Sequence, residues 1–572
     1  MPTSDPVLAR TDAPPGAVTD GTGRGSPVAV TDPPGVPAAA GAPDTATLPA
    51  SLPDTLPDTL PATLPASLPT DGADPTLPSR LHRLAAVLRT HRVAVVVVLL
   101  AAGVRVVVTL AYRPVLLYSD SVDFLKQSDI LHPTAWHPMG YPLVIAALAW
   151  AHNLTVYAVL NHAMGLAMGV LLYALLVRLG VRRWLAVLAV VPVLFDAYQL
   201  ITEQYLLSDT TYQFLIVVAV VVMMWRGPDH RWRRPGAWRC LAVGLLFTAA
   251  AITRFDGTVI IVPALAFLIV RRVGMWRLAV VVMAFVLPIV AYAGWYDAVN
   301  GQFTTSGLTG LFLYARLAPF ADCTGLTLPA YEQRLCPTQP VADRPTVGWW
   351  SSSHQSPGES ETGHDGRTAN QVLLDFDERI ILHQPVQYAS AVLHDYFFQF
   401  SPTHASGREV PDTSPWRFAT RAPGSNYVPD ARSWTERFGS QVPSVNAGLA
   451  RLLADYQVVV YTPGPLLAAL LGVSLVAVCW RRRTRGSGLR AETAALAGGA
   501  VLTMLFATAT AGFDWRYQLP SLVLLPVAGA LAVTMLVWPG PTRPRYRHSV
   551  RRSGGRASED TTLSPVPAPA PD

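Results

Sequence analysis

The stretch VAVVVVLLAAGVRVVVTLAY, residues 93–112, decides the class of this protein. Arg105 is its only charge, and a helix needs about 20 apolar residues to cross a hydrocarbon core. Nine further segments read the same way, at roughly 156–178, 184–200, 208–225, 238–253, 257–270, 276–297, 458–480, 491–511 and 519–538, with one re-entrant hairpin as the alternative for the two short ones that meet at 253–257. With 51% hydrophobic and 14% charged residues among 572, the chain is too apolar for a soluble multidomain protein. The expected fold is an all-α polytopic membrane protein of about ten transmembrane helices with a large extracytoplasmic segment.

Arginines set the expected orientation. Arg178, Arg182 and Arg183, then Arg226, Arg231, Arg233, Arg234 and Arg239, then Arg271, Arg272 and Arg277, then Arg481, Arg482, Arg483 and Arg485 all fall in alternate loops. Those loops share a side with Arg80, Arg83, Arg89 and the tail from Arg543 to Arg556, and an excess of positive charge marks the cytoplasmic side. Both termini are therefore expected in the cytoplasm of a bacterial cell, with the protein multi-pass in the cytoplasmic membrane. The net charge of +6 reflects these loops, Lys126 being the sole lysine, so a nucleic-acid partner is not expected.

The domains follow. Residues 1–79 are rich in Pro, Ala and Thr, with Leu48, Leu52, Leu56, Leu60, Leu64 and Leu68 each followed by proline; they bury too little surface to offset ordering entropy and read as a disordered tail. Residues 80–297 hold the first seven helices, 298–457 the extracytoplasmic segment, 458–538 the last three helices and 539–572 a basic, disordered tail. The segment 298–457 is too long for a plain loop. It carries Cys323 and Cys336, whose spacing in an exported segment suggests a disulfide stabilising by about 3 kcal/mol, a free or metal-binding pair being the alternative. Residues 340–366 read as flexible, and 370–400 as an amphipathic helix on the outer leaflet, interrupted near Pro385.

The richest polar stretch is YSDSVDFLKQSDILHPTAWHPMGYP, residues 118–142, on the outer side. It holds Asp120, Asp123, Asp129, His132, His137, Trp136 and Tyr141. Further charges recur at outer span ends: Asp196, Glu203, Asp209, Arg254, Asp256, Asp514 and Arg516. Each alone reads as an interfacial anchor; together they suit a site handling a phosphate and a hydroxyl, because an arginine fork bonds two oxygens at once. Arg105 either snorkels to the headgroups or faces the bundle and binds an anion or one of the outer carboxylates. A phosphate loop, HExxH, paired CxxC and an outer GxSxG are all missing, which argues against an ATPase, a zinc protease and a serine hydrolase. A divalent metal beside Asp120 and Asp123 is possible but unsupported, and no cofactor is assigned.

An aspartate followed by HPxGYP (Asp120, His137, Pro138, Gly140, Tyr141, Pro142), a span opening Ser208-Asp209, a TRxDG element (Thr253, Arg254, Asp256, Gly257) and a span opening RYxLP (Arg516, Tyr517, Leu519, Pro520) together resemble the GT-C superfamily of integral membrane glycosyltransferases. The similar branch holds protein mannosyltransferases, aminoarabinose transferases and related enzymes that use polyprenyl-phosphate sugars. Two departures stand out: Asp120-Ser121 replaces an Asp-Glu pair, and Asp209 stands where glutamate is frequent.

The resemblance implies a GT-C-like bundle and transfer of a sugar from a lipid-linked phosphate donor to a glycan, lipid or protein acceptor on the outer face. Asp120 is then the base of an inverting single displacement. Arg254, Arg516 and Arg105 are the candidates for meeting the departing phosphate. Asp123, Trp136, His137, Tyr141, Asp209, Asp256 and Tyr517 are further candidates for holding donor or substrate. The competing readings are a transporter or flippase for a lipid-linked glycan, and a membrane scaffold with a degenerate site.

Overall fold

The computed structural model describes residues 85–227, 232–404, 413–421, 430–480, 484 and 488–538. The expected tails, 1–79 and 539–572, lie outside the described residues. Almost all regular structure is helical. The first half comprises α1 (Arg92–Ala111), α2 (Ser119–Ile130), α3 (Gly140–Leu148), α4 (Thr155–Arg178), α5 (Arg183–Phe195), α6 (Ala197–Gln204), α7 (Asp209–Met224), α8 (Ala237–Thr253), α9 (Ile261–Val270) and α10 (Met275–Asn300). The second comprises α11 (Thr309–Leu317), α12 (Ala330–Gln333), α13 (Val347–Ser352), α14 (Ala369–His383), α15 (Pro385–Phe398), α16 (Ala431–Arg437), α17 (Ala447–Val459), α18 (Gly464–Cys479), α19 (Arg490–Thr510) and α20 (Leu519–Val537). One antiparallel ribbon, β1 (Tyr112–Arg113) with β2 (Ser444–Val445), is the sole sheet among the described residues.

Ten crossing helices are not found. Five are long and apolar enough to cross a membrane: α1, α4, α10, α19 and the stretch Trp515–Val537. The number reaches seven if each of two bent pairs, α5 with α6 (46°) and α17 with α18 (45°), counts as one span. The physical reason lies in helix length. α7 has 16 residues and α8 has 17, about 25 Å at 1.5 Å per residue, short of a core of about 30 Å. Arg254 closes α8 in an extended conformation (φ −149°, ψ 139°), which separates the apolar run 238–270 into two short helices.

Packing follows apolarity. α20 is apolar nearly all round and is sheathed by α5, α18 and α19, as a helix without a polar stripe must be. α1 and α10 instead leave Val96, Leu99, Leu100, Val106, Met283, Leu287 and Val290 exposed along their lengths. Contacts between connections define two ends. At one, Leu116 bridges Tyr205 and Tyr112 pairs with Val445. At the other, Arg226 bonds Glu492 at 2.7 Å, and Arg271 reaches the same buried carboxylate and the Gly488 carbonyl.

The long segment has a core of its own. α11 and α14 bury Leu311, Tyr314, Leu317, Val372, Leu373, Phe376 and Ile380 against Trp350, and Cys323 and Cys336 form a disulfide. Arg316 ties this unit to the bundle, donating to the Thr508 carbonyl at 2.8 Å. The stretch read as flexible is packed instead: Trp350 is buried, and its indole N–H donates to the Pro345 carbonyl at 3.2 Å. The helix expected over 370–400 does break at Pro385, giving α14 and α15. However, α14 buries its apolar face on α11 rather than lying open to a leaflet.

Asp377 is buried in this core, and neither carboxylate oxygen has a hydrogen-bond partner among the described residues. Burial pushes its pKa well above the ordinary carboxylate range. The unfolded chain ionises near pH 4 while the folded one resists, so stability is full below that pH and falls as pH rises. Asp377→Asn should therefore raise the Tm over wild type more at pH 8 than at pH 5 in paired thermal melts.

Candidate functional site

Four connections carry the polar residues to one end of the bundle. The first is the start of α2. Ser121 is buried there; its hydroxyl accepts from the Tyr118 N–H at 2.9 Å and donates to the Leu206 carbonyl at 2.9 Å. That bond docks α2 on the connection before α7. Asp120, in the first turn of α2, is thereby aimed at the bundle end.

The second and third connections meet through a glycine. A Cβ on Gly140 would lie 2.6 Å from the Ile252 carbonyl oxygen and 2.6 Å from the Thr253 hydroxyl. Only glycine lets α3 approach the end of α8 this closely, so the HPxGYP and TRxDG elements are neighbours in space. Arg254, leaving α8, bonds Asp209 at 2.9 Å and Asp256 at 3.3 Å. The fourth is the turn before α20, where Asp514 accepts from the Arg516 backbone N–H at 3.0 Å. Arg516 then reaches Asp120 across the end of the bundle, at 2.8 Å.

The result is one array of two arginines and four aspartates. The Tyr517 ring joins its halves, 5.4 Å from the guanidinium carbons of both Arg254 and Arg516. Tyr118 (5.2 Å) and Trp416 (5.8 Å) flank Arg516. Every arginine in the array is mostly buried, and Asp120, Asp514 and Asp256 each keep 15–18% of the side chain exposed, so the array is partly open to solvent.

Electrostatics differ from group to group. Burial works against a charge on Asp120, but the Arg516 guanidinium, the nearby His137 and the hydrogen bonds from Arg516 and Ser119 outweigh it and hold the carboxyl well below the usual range. Asp514 goes the other way: burial raises it despite Arg516. For His137, burial with Arg516 and Arg254 nearby outweighs the pull of Asp120 and brings the pKa down to about 4. The imidazole is thus neutral at pH 7 and offers a hydrogen bond rather than a charge.

Of the residues singled out in the sequence, Asp120, His137, Asp209, Arg254, Asp256, Arg516 and Tyr517 are brought together here. Asp123 sits one turn further along α2, where burial raises its carboxyl against the pull of Lys126. Trp136 is exposed at the surface, and Tyr141 is buried edge-on to Phe124, 5.1 Å between centroids. Tyr118 and Trp416 were not anticipated; Trp416 comes from the long segment, and no local pattern marks it. Among the described residues no group of three or more His, Cys, Asp or Glu side chains is arranged to hold a metal ion.

Arg105 does not join the array. Its guanidinium bonds Glu203 at 2.8 and 2.9 Å and the carbonyls of Ala101, Val193 and Leu194, so all five of its N–H donors are engaged. It faces the bundle and binds one of the carboxylates read at the outer span ends, which leaves no N–H over for a phosphate. Glu203 also meets His162 at 2.9 Å and Gln199 at 3.1 Å, and a Cβ on Gly165 would lie 2.0 Å from its Oε1.

No protein-family model matches this chain, and no curated protein and no solved structure matches it.

Removing one partner of a buried ion pair strands the other, at a cost of about 3–5 kcal/mol. Glu203→Leu, or Gly165→Ala through its clash with the same carboxylate, should sharply lower the Tm in detergent. Arg105→Met combined with Glu203→Leu should recover part of that loss.

Proposed function

We propose that the protein is a membrane glycosyltransferase that moves a sugar from a polyprenyl-phosphate donor to an acceptor hydroxyl at the outer face of the cytoplasmic membrane. One observation carries the reading: four sequence elements spread over some 400 residues meet in one array of carboxylates and guanidinium groups, with Asp120 among its partly exposed carboxylates. The apolar helices suit a lipid-linked donor. Exposed tryptophans lie at both ends of the bundle, Trp136 and Trp150 at the site end and Trp184, Trp238, Trp276 and Trp480 at the other, as at a membrane–water interface.

In this reading Asp120 takes the proton of the acceptor hydroxyl while its oxygen attacks the anomeric carbon. The bond from that carbon to the phosphate oxygen breaks on the opposite face, inverting the centre. The departing phosphate carries the electron pair, and Arg516 and Arg254 meet its charge in a setting where fixed donors need little reorganisation. Neutral His137 supplies a further hydrogen bond. The arginine-rich loops at the opposite end would face the cytoplasm, with both termini.

A second reading, transport of a lipid-linked glycan, is favoured by the two bent helix pairs, which pack break to break. Ala197 donates to the Val460 carbonyl at 3.1 Å, and Asp196 accepts from the Thr462 N–H at 2.6 Å. Broken helices that meet inside a bundle are a transporter feature, although here their polar groups satisfy one another. Proteoliposomes that move the lipid-linked sugar without altering it would establish transport in place of transfer.

Loss of a general base costs on the order of 10²- to 10⁴-fold in rate. Asp120→Asn should slow sugar transfer by that factor while the folded protein still binds donor; wild-type turnover in that variant would remove Asp120 as the base. Mass spectrometry of co-purifying lipids should find a polyprenyl-phosphate sugar.

A further inference from the structure

A base must be free to accept a proton, yet Asp120 is held by the residue meant to receive the phosphate. Its Oδ2 accepts from Arg516 at 2.8 Å, and the pair keeps the carboxyl strongly acidic, which makes a poor proton acceptor. Arg516 is meanwhile under-used. Its Nε has no hydrogen-bond partner among the described residues and stands 3.8 Å from Asp514. Tyr118, Trp416 and Tyr517 wall the guanidinium, and both members of the pair keep some exposure, 12% for Arg516 and 18% for Asp120.

We propose that Asp120 is the resident counter-ion of Arg516 and that the phosphate of a polyprenyl-phosphate ligand takes its place, so that binding the donor and releasing the base are one event. The inference rests on the reading of the array as a lipid-phosphate site. No covalent bond changes in this step: one anion leaves the guanidinium and another replaces it. Arg516 stays neutralised throughout, and the carboxylate moves away from the charge that kept it acidic. Arg254 differs in that both of its aspartates are close, Asp209 at 2.9 Å and Asp256 at 3.3 Å, whereas the second carboxylate of Arg516, Asp514, stands 3.8 Å from its Nε, so only Asp120 holds Arg516 tightly. In the absence of donor the site is thus held off, which protects the acceptor hydroxyl and water from a base with nothing to attack.

The test is calorimetric titration of the full-length protein in detergent with a short-chain polyprenyl phosphate, comparing wild type, Asp120→Asn and Arg516→Gln, each checked for an unchanged melting profile. Removing the resident anion should tighten binding about tenfold, equivalent to about 1.4 kcal/mol, and Arg516→Gln should weaken it by at least as much. Asp120→Ser, which also deletes the charge, serves if Asp120→Asn fails to fold. Unchanged or weaker binding in the Asp120 variant, with binding still lost in Arg516→Gln, overturns the exchange and leaves the site reading standing. A wild type that does not bind, or an Arg516→Gln protein that binds as well, overturns both.

Discussion

A charge in an apolar bundle must be met by an opposite one, and that constraint organises this molecule. Desolvation makes an unpaired ion cost several kcal/mol, so the buried arginines of the bundle are found in partnerships drawn from distant parts of the chain. Glu492 takes Arg226 and Arg271 at one end, Glu203 takes Arg105 in the interior, and four aspartates take Arg254 and Arg516 at the other end. Each partnership pins several helices at once. Glu203 alone holds α1, α4 and α6 through Arg105, His162 and its own backbone.

The three clusters are satisfied to different degrees. On Arg105 itself every donor is engaged, which is the condition for a structural ion pair in an apolar medium. In the array at the site end, the Asp209 Oδ2 and the Arg516 Nε are left without hydrogen bonds among the described residues. Unused bonding capacity beside a partly exposed carboxylate is what a ligand can exploit. The contrast separates Arg105 from Arg516 on physical grounds, although both are arginines near a span and both read alike as candidate anion ligands.

Much of the candidate site was legible because its members lie in short polar interruptions of apolar runs. Asp120, Asp209, Arg254, Asp256 and Arg516 each stand out locally. Trp416 and Tyr118 were not legible, since an aromatic residue in a long polar segment looks the same whether it walls a site or packs in a core. The helix count was misread for another reason: the segments 208–225, 238–253 and 257–270 are bounded nearly as α7, α8 and α9 are, but apolarity counted them as spans although they are too short for one.

The sequence by itself determined that this is a helical protein with membrane-compatible spans, and where its polar interruptions fall. Those are properties of contiguous residues, because a helix satisfies its backbone within itself and apolarity is summed along one segment. Only the tertiary structure decided which charge meets which. Arg105 and Glu203 are 98 positions apart and Asp120 and Arg516 are 396 apart. A Coulomb interaction depends on distance through space and on the surrounding dielectric, and neither is written in the order of the residues.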